Sequence, residues 1–222
     1  MGLWTFDGPD TTDKVYDRSG QGNNGYFNGG ATSSAKVIGK LGQALQFNGS
    51  SSYVDMGNDA SLEVGLPFTI SAWVKVPTSA TAYYTLFTTD NGPEATGAFL
   101  QIEASTGRIT TGYGDGLGGI NFQRKIGASS VTTNTWRHVV GVVRGEDDMD
   151  IYVDGINDGG GYDVIGNGGA ITHTAASARM GDDSIGNSFF PGALDDVRLY
   201  NRALTATEAK QLYKLGTVIT RQ

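Results

Sequence analysis

Apolar residues in this 222-residue chain come in segments of four to eight, alternating or continuous, with turn residues between them. Segments that short and that regularly punctuated fit β-strands and leave little room for helices. In the stretch 68–76, FTISAWVKV, Phe68, Ile70, Ala72, Val74 and Val76 fall on one face, and Thr69, Ser71, Trp73 and Lys75 on the other. Trp73 makes that second face only partly polar. Strands are predicted over 3–6, 44–47, 53–56, 68–76, 83–88, 98–103, 108–113, 121–126, 137–144, 150–153, 178–181 and 193–200. The 34 glycines against 5 prolines indicate many tight turns, not a low-complexity tail. Residues 137–154 read as a hairpin with a polar tip at Gly145-Glu146-Asp147-Asp148, and Asp154-Gly155 as the next tight turn.

One helix is predicted, over 205–214, TATEAKQLYK. Thr205 and Glu208 have the spacing of a capping box, and Gly216 ends the helix. Leu204, Ala209, Leu212 and Tyr213 supply a face that can pack on a sandwich. A dozen strands with one short helix define an all-β chain. No interior linker is visible, so 1–222 reads as a single domain.

The formal net charge is −7, from 16 basic and 23 acidic residues. Arg124-Lys125 is the nearest thing to a basic patch, which excludes nucleic acid and anionic membranes as partners. No apolar run approaches the roughly 18–20 residues of a membrane span. Acidic surfaces suit divalent cations and neutral sugars. With no cysteine there are no disulfides, no thiol catalysis and no Cys-based zinc site. The chain starts Met-Gly-Leu-Trp, straight into a strand without a signal peptide, as a domain excised from a longer protein would.

Six blocks then resemble one family in order. They are LWTFDG (3–8) with DRSGQGNNG (17–25), KLGQALQFNGSSSYVDMG (40–57), FTISAWVKV (68–76), TWRHVVGVVR (135–144), IYVDG (151–155) and GALDDVRLYNRALTATEAKQLY (192–213). Each is weakly specific alone. Together they resemble the laminin-G-like jelly-roll family of the concanavalin A-like lectin/glucanase superfamily. The resemblance implies a two-sheet antiparallel jelly-roll sandwich with one short C-terminal helix. It implies a structural Ca²⁺ near the joined termini and an extracellular or cell-surface setting. It further implies a non-catalytic domain that binds carbohydrate or a surface protein, although some relatives in the wider superfamily are glycanases. Residues 80–130 and 155–170 match no block, and ligand specificity is expected there.

Ca²⁺ takes about six to eight oxygens from carboxylates, amide side chains and backbone carbonyls. The family's blocks bring together Asp7, the 17–25 loop with Asp17, Asn23 and Asn24, and the last strand with Asp195 and Asp196. The expected ligands are Asp7, Asn24 and one or both of Asp195 and Asp196. Simple alternation puts Asp195 on the face of Ala193, Val197 and Leu199, where a carboxylate is costly unless a cation or donors meet it. The competing assignment is a turn at Asp7-Gly8, an ordinary loop at 17–25, and an ion pair from Asp195 or Asp196 to Arg198.

Other groups carry less. His138 reads as a satisfied strand histidine, and His173 as a loop residue able to touch a ligand. The run Glu146-Asp147-Asp148-Met149-Asp150 lacks the last carboxylate of the laminarinase-like pattern and reads as a solvated turn. Trp4 and Trp136 read as core or core-edge. Carbohydrate sites combine an aromatic ring with hydrogen-bonding side chains. The candidates in the variable segments are Tyr113, Asp115, Asn121, Phe122, Arg124 and Tyr162. Tyr83 or Tyr84 and the pair Phe189-Phe190 are weaker ones. An adhesion or spacer domain is the alternative to a sugar-binding module.

Overall fold

Residues 68–75 form the strand that their alternation predicts. Phe68, Ile70, Ala72 and Val74 enter the main core, while Thr69, Ser71 and Trp73 lie on the opposite face and are buried too. A strand buried on both sides needs cover on both. The two covers are a second sheet and a helix. The structure is a computed structural model that describes residues 1–77, 79–90, 96–117, 122–164, 169–182 and 189–217.

The strands in chain order are β1 (Gly2–Trp4), β2 (Tyr26–Asn28), β3 (Lys36–Ile38), β4 (Gln43–Gln46), β5 (Tyr53–Asp55), β6 (Phe68–Lys75), β7 (Tyr84–Thr88) and β8 (Ala98–Ile102). They continue with β9 (Arg108–Gly114), β10 (Phe122–Ser130), β11 (Trp136–Val143), β12 (Met149–Val153), β13 (Ile156–Asn157), β14 (Gly161–Val164), β15 (Arg179–Met180) and β16 (Ala193–Tyr200). Helix α1 (Ala206–Leu215) follows. The first sheet runs β13-β12-β11-β6-β16-β4-β3, with β1 also on β16. The second runs β14-β10-β9-β8-β7-β15-β5-β2. All pairings are antiparallel. Trp4, Phe47, Phe68, Phe87 and Phe190 fill the space between the sheets. This is an all-β jelly-roll sandwich with one short C-terminal helix. Among the described residues no helix is long and apolar enough to cross a membrane.

Helix α1 forms because its first turn is capped from both sides. The Glu208 amide donates to the Thr205 hydroxyl at 3.2 Å, and the Thr205 amide donates to the Glu208 carboxylate at 2.8 Å. Leu204, Ala209 and Leu212 then pack on Val140, Val142 and Tyr152, on the outer face of the first sheet. The Tyr213 ring lies 5.7 Å from Trp73. A Cβ on Gly216 would collide with the Trp73 indole, so the residue that ends the helix must be small. Cover by α1 explains why the partly polar face of β6 is buried.

The first and last strands are neighbours, with Trp4 opposite Val197 and Gly2 opposite Leu199. On the same edge of β16, β4 pairs with Ala193 and Leu194. Between these two partners lies a gap at Asp195 and Asp196. A bulge falls there: Asp195 faces Trp73 and Arg198 faces Ser71, so β16 spends one residue more than β6. Asp196 accordingly takes a left-handed backbone, φ 49°. The extra residue corrects the simple alternation. Asp195 shares the outer face with Trp73, whereas Val197 and Leu199 enter the core.

Four strands lack a counterpart in the sequence reading: β2, β3, β13 and β14. They are the strands at the two ends of each sheet. The Asp154-Gly155 turn joins β12 to β13 with φ 52° and 74°, values that glycine takes without steric cost.

Candidate functional site

Two places gather chemistry-bearing side chains. The first is the gap beside β16. Asp7 arrives from the end of β1 after a turn at Phe6, whose φ of 58° is unusual for a bulky residue. Its Oδ1 accepts from the Gln43 amide at 2.8 Å. The Asp195 Oδ2 accepts from the Lys40 and Leu41 amides at 2.7 and 2.8 Å. A Cβ on Gly39 would meet the Asp195 carboxylate, and one on Gly42 the Asp7 carboxylate. The two glycines therefore make the space that lets both acids reach this loop. The sequence signal for this loop is GKLGQALQF (39–47), whose two glycines flank the amides that bind Asp195.

The electrostatics of this gap are unusual. Asp195 is fully buried, and its Oδ1 has no hydrogen-bond partner among the described residues. Burial pushes its carboxyl up to about 7, the Leu41 and Lys40 amides oppose that, and Asp196 and Asp7 add to it. Burial also raises Asp196, against the pull of Arg198, whose guanidinium lies 2.9 Å away. Asp196 is thus committed to Arg198, and Asp195 is not. Asn24 stands apart from this group: its Oδ1 accepts from the Asp17 amide. The 17–25 loop is organised around Asp17, which accepts from the Leu3, Ser19 and Asn23 amides and holds the loop against β1. Among the described residues no three His, Cys, Asp or Glu side chains form a metal-holding group by themselves.

The same outer face buries a row of polar atoms beneath α1. His138 lies opposite Trp73, its ring 5.1 Å from the indole. The His138 Nδ1, the Trp73 Nε1 and the Ser71 Oγ have no partner among the described residues. His138 is therefore buried but not fully satisfied. Burial, with the nearby Arg198 charge, pushes its imidazole down to about 3.

The second place is the outer face of the second sheet. Phe99, Gly112 and Arg124 form one cross-strand row on β8, β9 and β10, and Gly114 faces Phe122 beside it. A Cβ on Gly112 would collide with the Gln123 carbonyl oxygen. Gly112 and Gly114 leave β9 without side chains on this face, and both are buried. Phe122 is half-buried and packs edge-on to Phe99, with ring centroids 5.7 Å apart. The half-buried Arg124 guanidinium lies 5.6 Å from the Tyr83 ring. Tyr84, by contrast, is buried in the core.

The remaining sequence candidates lie elsewhere. Tyr113 is 1 % exposed and sits inside the main core, because β9 turns its odd-numbered residues inward. Asp115 is buried, and its Oδ1 caps the Leu117 amide. The Tyr162 hydroxyl bonds the Met149 amide and the Asp147 carbonyl, which pins the ring to the edge of the sandwich. Asn121 lies outside the described residues. His173 bonds the Val64 carbonyl at 2.9 Å, and Phe190 is in the core. Trp4 is also core, whereas Trp136 is half-buried on the outer face of the first sheet, opposite Lys75. Arg144 pairs with both Asp148 and Asp150 at the hairpin tip, at 2.8 and 2.6 Å.

A jelly-roll sandwich whose ends meet at an acidic gap and whose second sheet carries a partly exposed aromatic pair is the class of domain these features define. The laminin-G-like profile of the concanavalin A-like lectin/glucanases superfamily matches residues 48–210, and the chain belongs to that family. Over 146 residues, 66 % of its length, the chain is 27 % identical to the adhesion G-protein coupled receptor V1 of Danio rerio, of which it spans 2 %. Among solved structures it resembles the binding domain of Paraclostridial Mosquitocidal Protein 1 (TM-score 0.72, 20 % identity, 96 % of this chain and 51 % of that one). It also resembles domain 4 of an extracellular arabinanase from Geobacillus stearothermophilus, solved with arabinotriose (TM-score 0.70, 21 % identity, 96 % and 97 %). At these identities the structural likeness carries the fold.

Proposed function

We propose that this domain is a non-catalytic, calcium-stabilised carbohydrate-binding module of an extracellular multidomain protein. The observation that carries the reading is the strip on the second sheet. There the half-buried Phe122 offers a ring for the apolar face of a sugar, with the half-buried Arg124 guanidinium two residues along the same strand. Rings held in place by packing bind at low entropic cost. The arabinotriose bound by the arabinanase domain makes an arabino-oligosaccharide the first probe. Pairing of Arg144 with Asp148 and Asp150 supports a structural role for the acidic run. A glycan array tests the proposal. Binding to neutral oligosaccharides that drops about tenfold on Phe122→Ala supports it, and a blank array returns the domain to an adhesion role. The likeness to an adhesion receptor over 66 % of the chain favours that second reading.

The residues beside β16 fit a calcium ion by the chemistry of the donors. A fully buried carboxylate oxygen without a partner is costly, and a hard cation that prefers oxygen ligands relieves that cost. Asp195 and Asp7 would hold it, completed by backbone oxygens or water. Asp196 is balanced by Arg198, and Asn24 serves its own loop. The bound ion would join the two ends of the chain at the gap and leave the second sheet free to bind.

A further inference from the structure

The outer face of the first sheet holds a cleft that the reading above does not use. It has a volume of about 370 Å³ and lies below the acidic gap, walled by Val37, Ile38 and Pro191 and reached by Gln46, Lys75 and Asn134. Its size lies within the roughly 300–1,000 Å³ of ligand clefts. We infer that this cleft is a second sugar site, selective for a carboxylated sugar.

The cross-strand register builds it. Gln46, Ala193 and Lys75 form one row across β4, β16 and β6, and Trp136 continues the row on β11. Ala193 is the small residue of the row. A Cβ on Gly192 would collide with the Lys75 carbonyl and the Phe190 ring, so the chain enters β16 close to β6. Lys75 is exposed and, among the described residues, makes no ion pair. The Gln46 carboxamide donates to the Phe47 carbonyl at 2.9 Å, so the uncompensated Lys75 ammonium and the Asn134 carboxamide are the groups left to select a ligand that has one negative charge and several hydroxyls. Asn134 carries its carboxamide on a left-handed backbone, φ 53°, fixed by its amide's bond to the Val76 carbonyl at 2.8 Å. Asparagine takes that conformation more readily than other non-glycine residues, so the turn holds it in place beside the cleft. Ile38 is 89 % exposed and Val37 37 %, and both line the cleft from the edge strand β3. An apolar wall, a cation and a carboxamide are what a pyranose with a carboxylate requires. A phosphate or an inorganic anion would have no use for the wall.

The inference deepens the carbohydrate reading but does not depend on the strip at Phe122. Uronic and sialic acids share the chemistry, so the test titrates 3′-sialyllactose and a glucuronate-containing trisaccharide separately, each against lactose, by calorimetry. Lys75→Gln should weaken one carboxylated probe about tenfold and leave lactose unchanged, and the weakened probe names the source. Asn134→Gly, which preserves the backbone conformation, should weaken the same probe severalfold. Lys210→Gln on the exposed side of α1 makes the same charge change and should have no effect. Equal affinity in wild type and Lys75→Gln overturns the inference. So does loss of the carboxylated probe in Phe122→Ala but not in Lys75→Gln, an outcome that keeps the carbohydrate reading. If wild type binds neither carboxylated probe, the cleft is not an acidic-sugar site, and neutral glycans on the array still decide the broader proposal.

Discussion

The two sheets treat their outer faces in opposite ways. The outer face of the first is roofed by α1 at Trp73 and by the 39–42 loop at Asp195, so it buries polar side chains that still lack partners. Among the described residues no helix packs on the outer face of the second, where Phe122 and Arg124 are half-buried beside the buried Phe99, Thr110 and Gly112. The comparison teaches that burial and function separate here. Polar groups under a roof are tied to stability, and polar groups on the strip of the second sheet are tied to ligands. Each substitution below should therefore move one property and spare the other.

The largest effects belong under the roof. Trp73→Ala should cost about 3–5 kcal/mol by chemical denaturation, because it removes a fully buried indole from contact with His138, Tyr213 and Lys40. Arg198→Met should cost a similar amount, about 3–5 kcal/mol, since it leaves the Asp196 carboxylate buried and unpaired. A loss below about 1 kcal/mol for either would mean that the roof is loose.

Calcium comes next. If Asp195 holds the ion, chelation should lower the melting temperature, and calcium at a hundredfold excess over Kd should restore about 2.7 kcal/mol. Asp195→Asn keeps an acceptor for the Lys40 and Leu41 amides and should abolish the response. A melting curve indifferent to chelator would remove calcium from the account.

The pH effect is smaller and has a definite sign. The folded His138 imidazole is pushed down to about 3, whereas the unfolded chain takes up the proton near 6.5. Between these values the unfolded state binds more protons, so stability falls as pH falls. From pH 7 to pH 5 wild type should lose about 2 kcal/mol relative to His138→Gln. Asp195, pushed up to about 7, acts in the opposite direction in both proteins and cancels in the difference. Parallel pH profiles would show that the ring finds a proton partner when folded.

Phe122→Ala should produce the smallest stability change, below about 1 kcal/mol, because the ring is half-exposed. Its effect should appear in glycan affinity instead.

Most of the fold was legible because the central strands carry strong alternation. The strands at the sheet ends were not. Segments such as Lys36–Ile38 and Ile156–Asn157 are short and exposed, and an edge strand packed on one side only has no need to alternate. The acidic gap was legible as a set of residues, Asp7, Asp195 and Asp196, but not as geometry. A single extra residue in β16 reverses the facing of everything after it, and nothing in ALDDVRLY announces where that residue falls. Tyr113 failed for the opposite reason. It ends the predicted strand 108–113 and is followed by Gly114 and Asp115, yet β9 runs on to Gly114 and turns Tyr113 into the core, and Gly112 is a glycine because the Gln123 carbonyl approaches too closely for a side chain.

The separation of the part of the first sheet roofed by α1 from the binding strip on the second sheet is tested most directly by an amide NMR titration of the calcium-loaded domain with a neutral oligosaccharide that the array selects. The account predicts shifts concentrated at Gly112, Gly114, Phe122 and Arg124, with Ser71, Trp73 and His138 silent. Shifts centred beneath α1, or spread over both sheets without a focus, would contradict it.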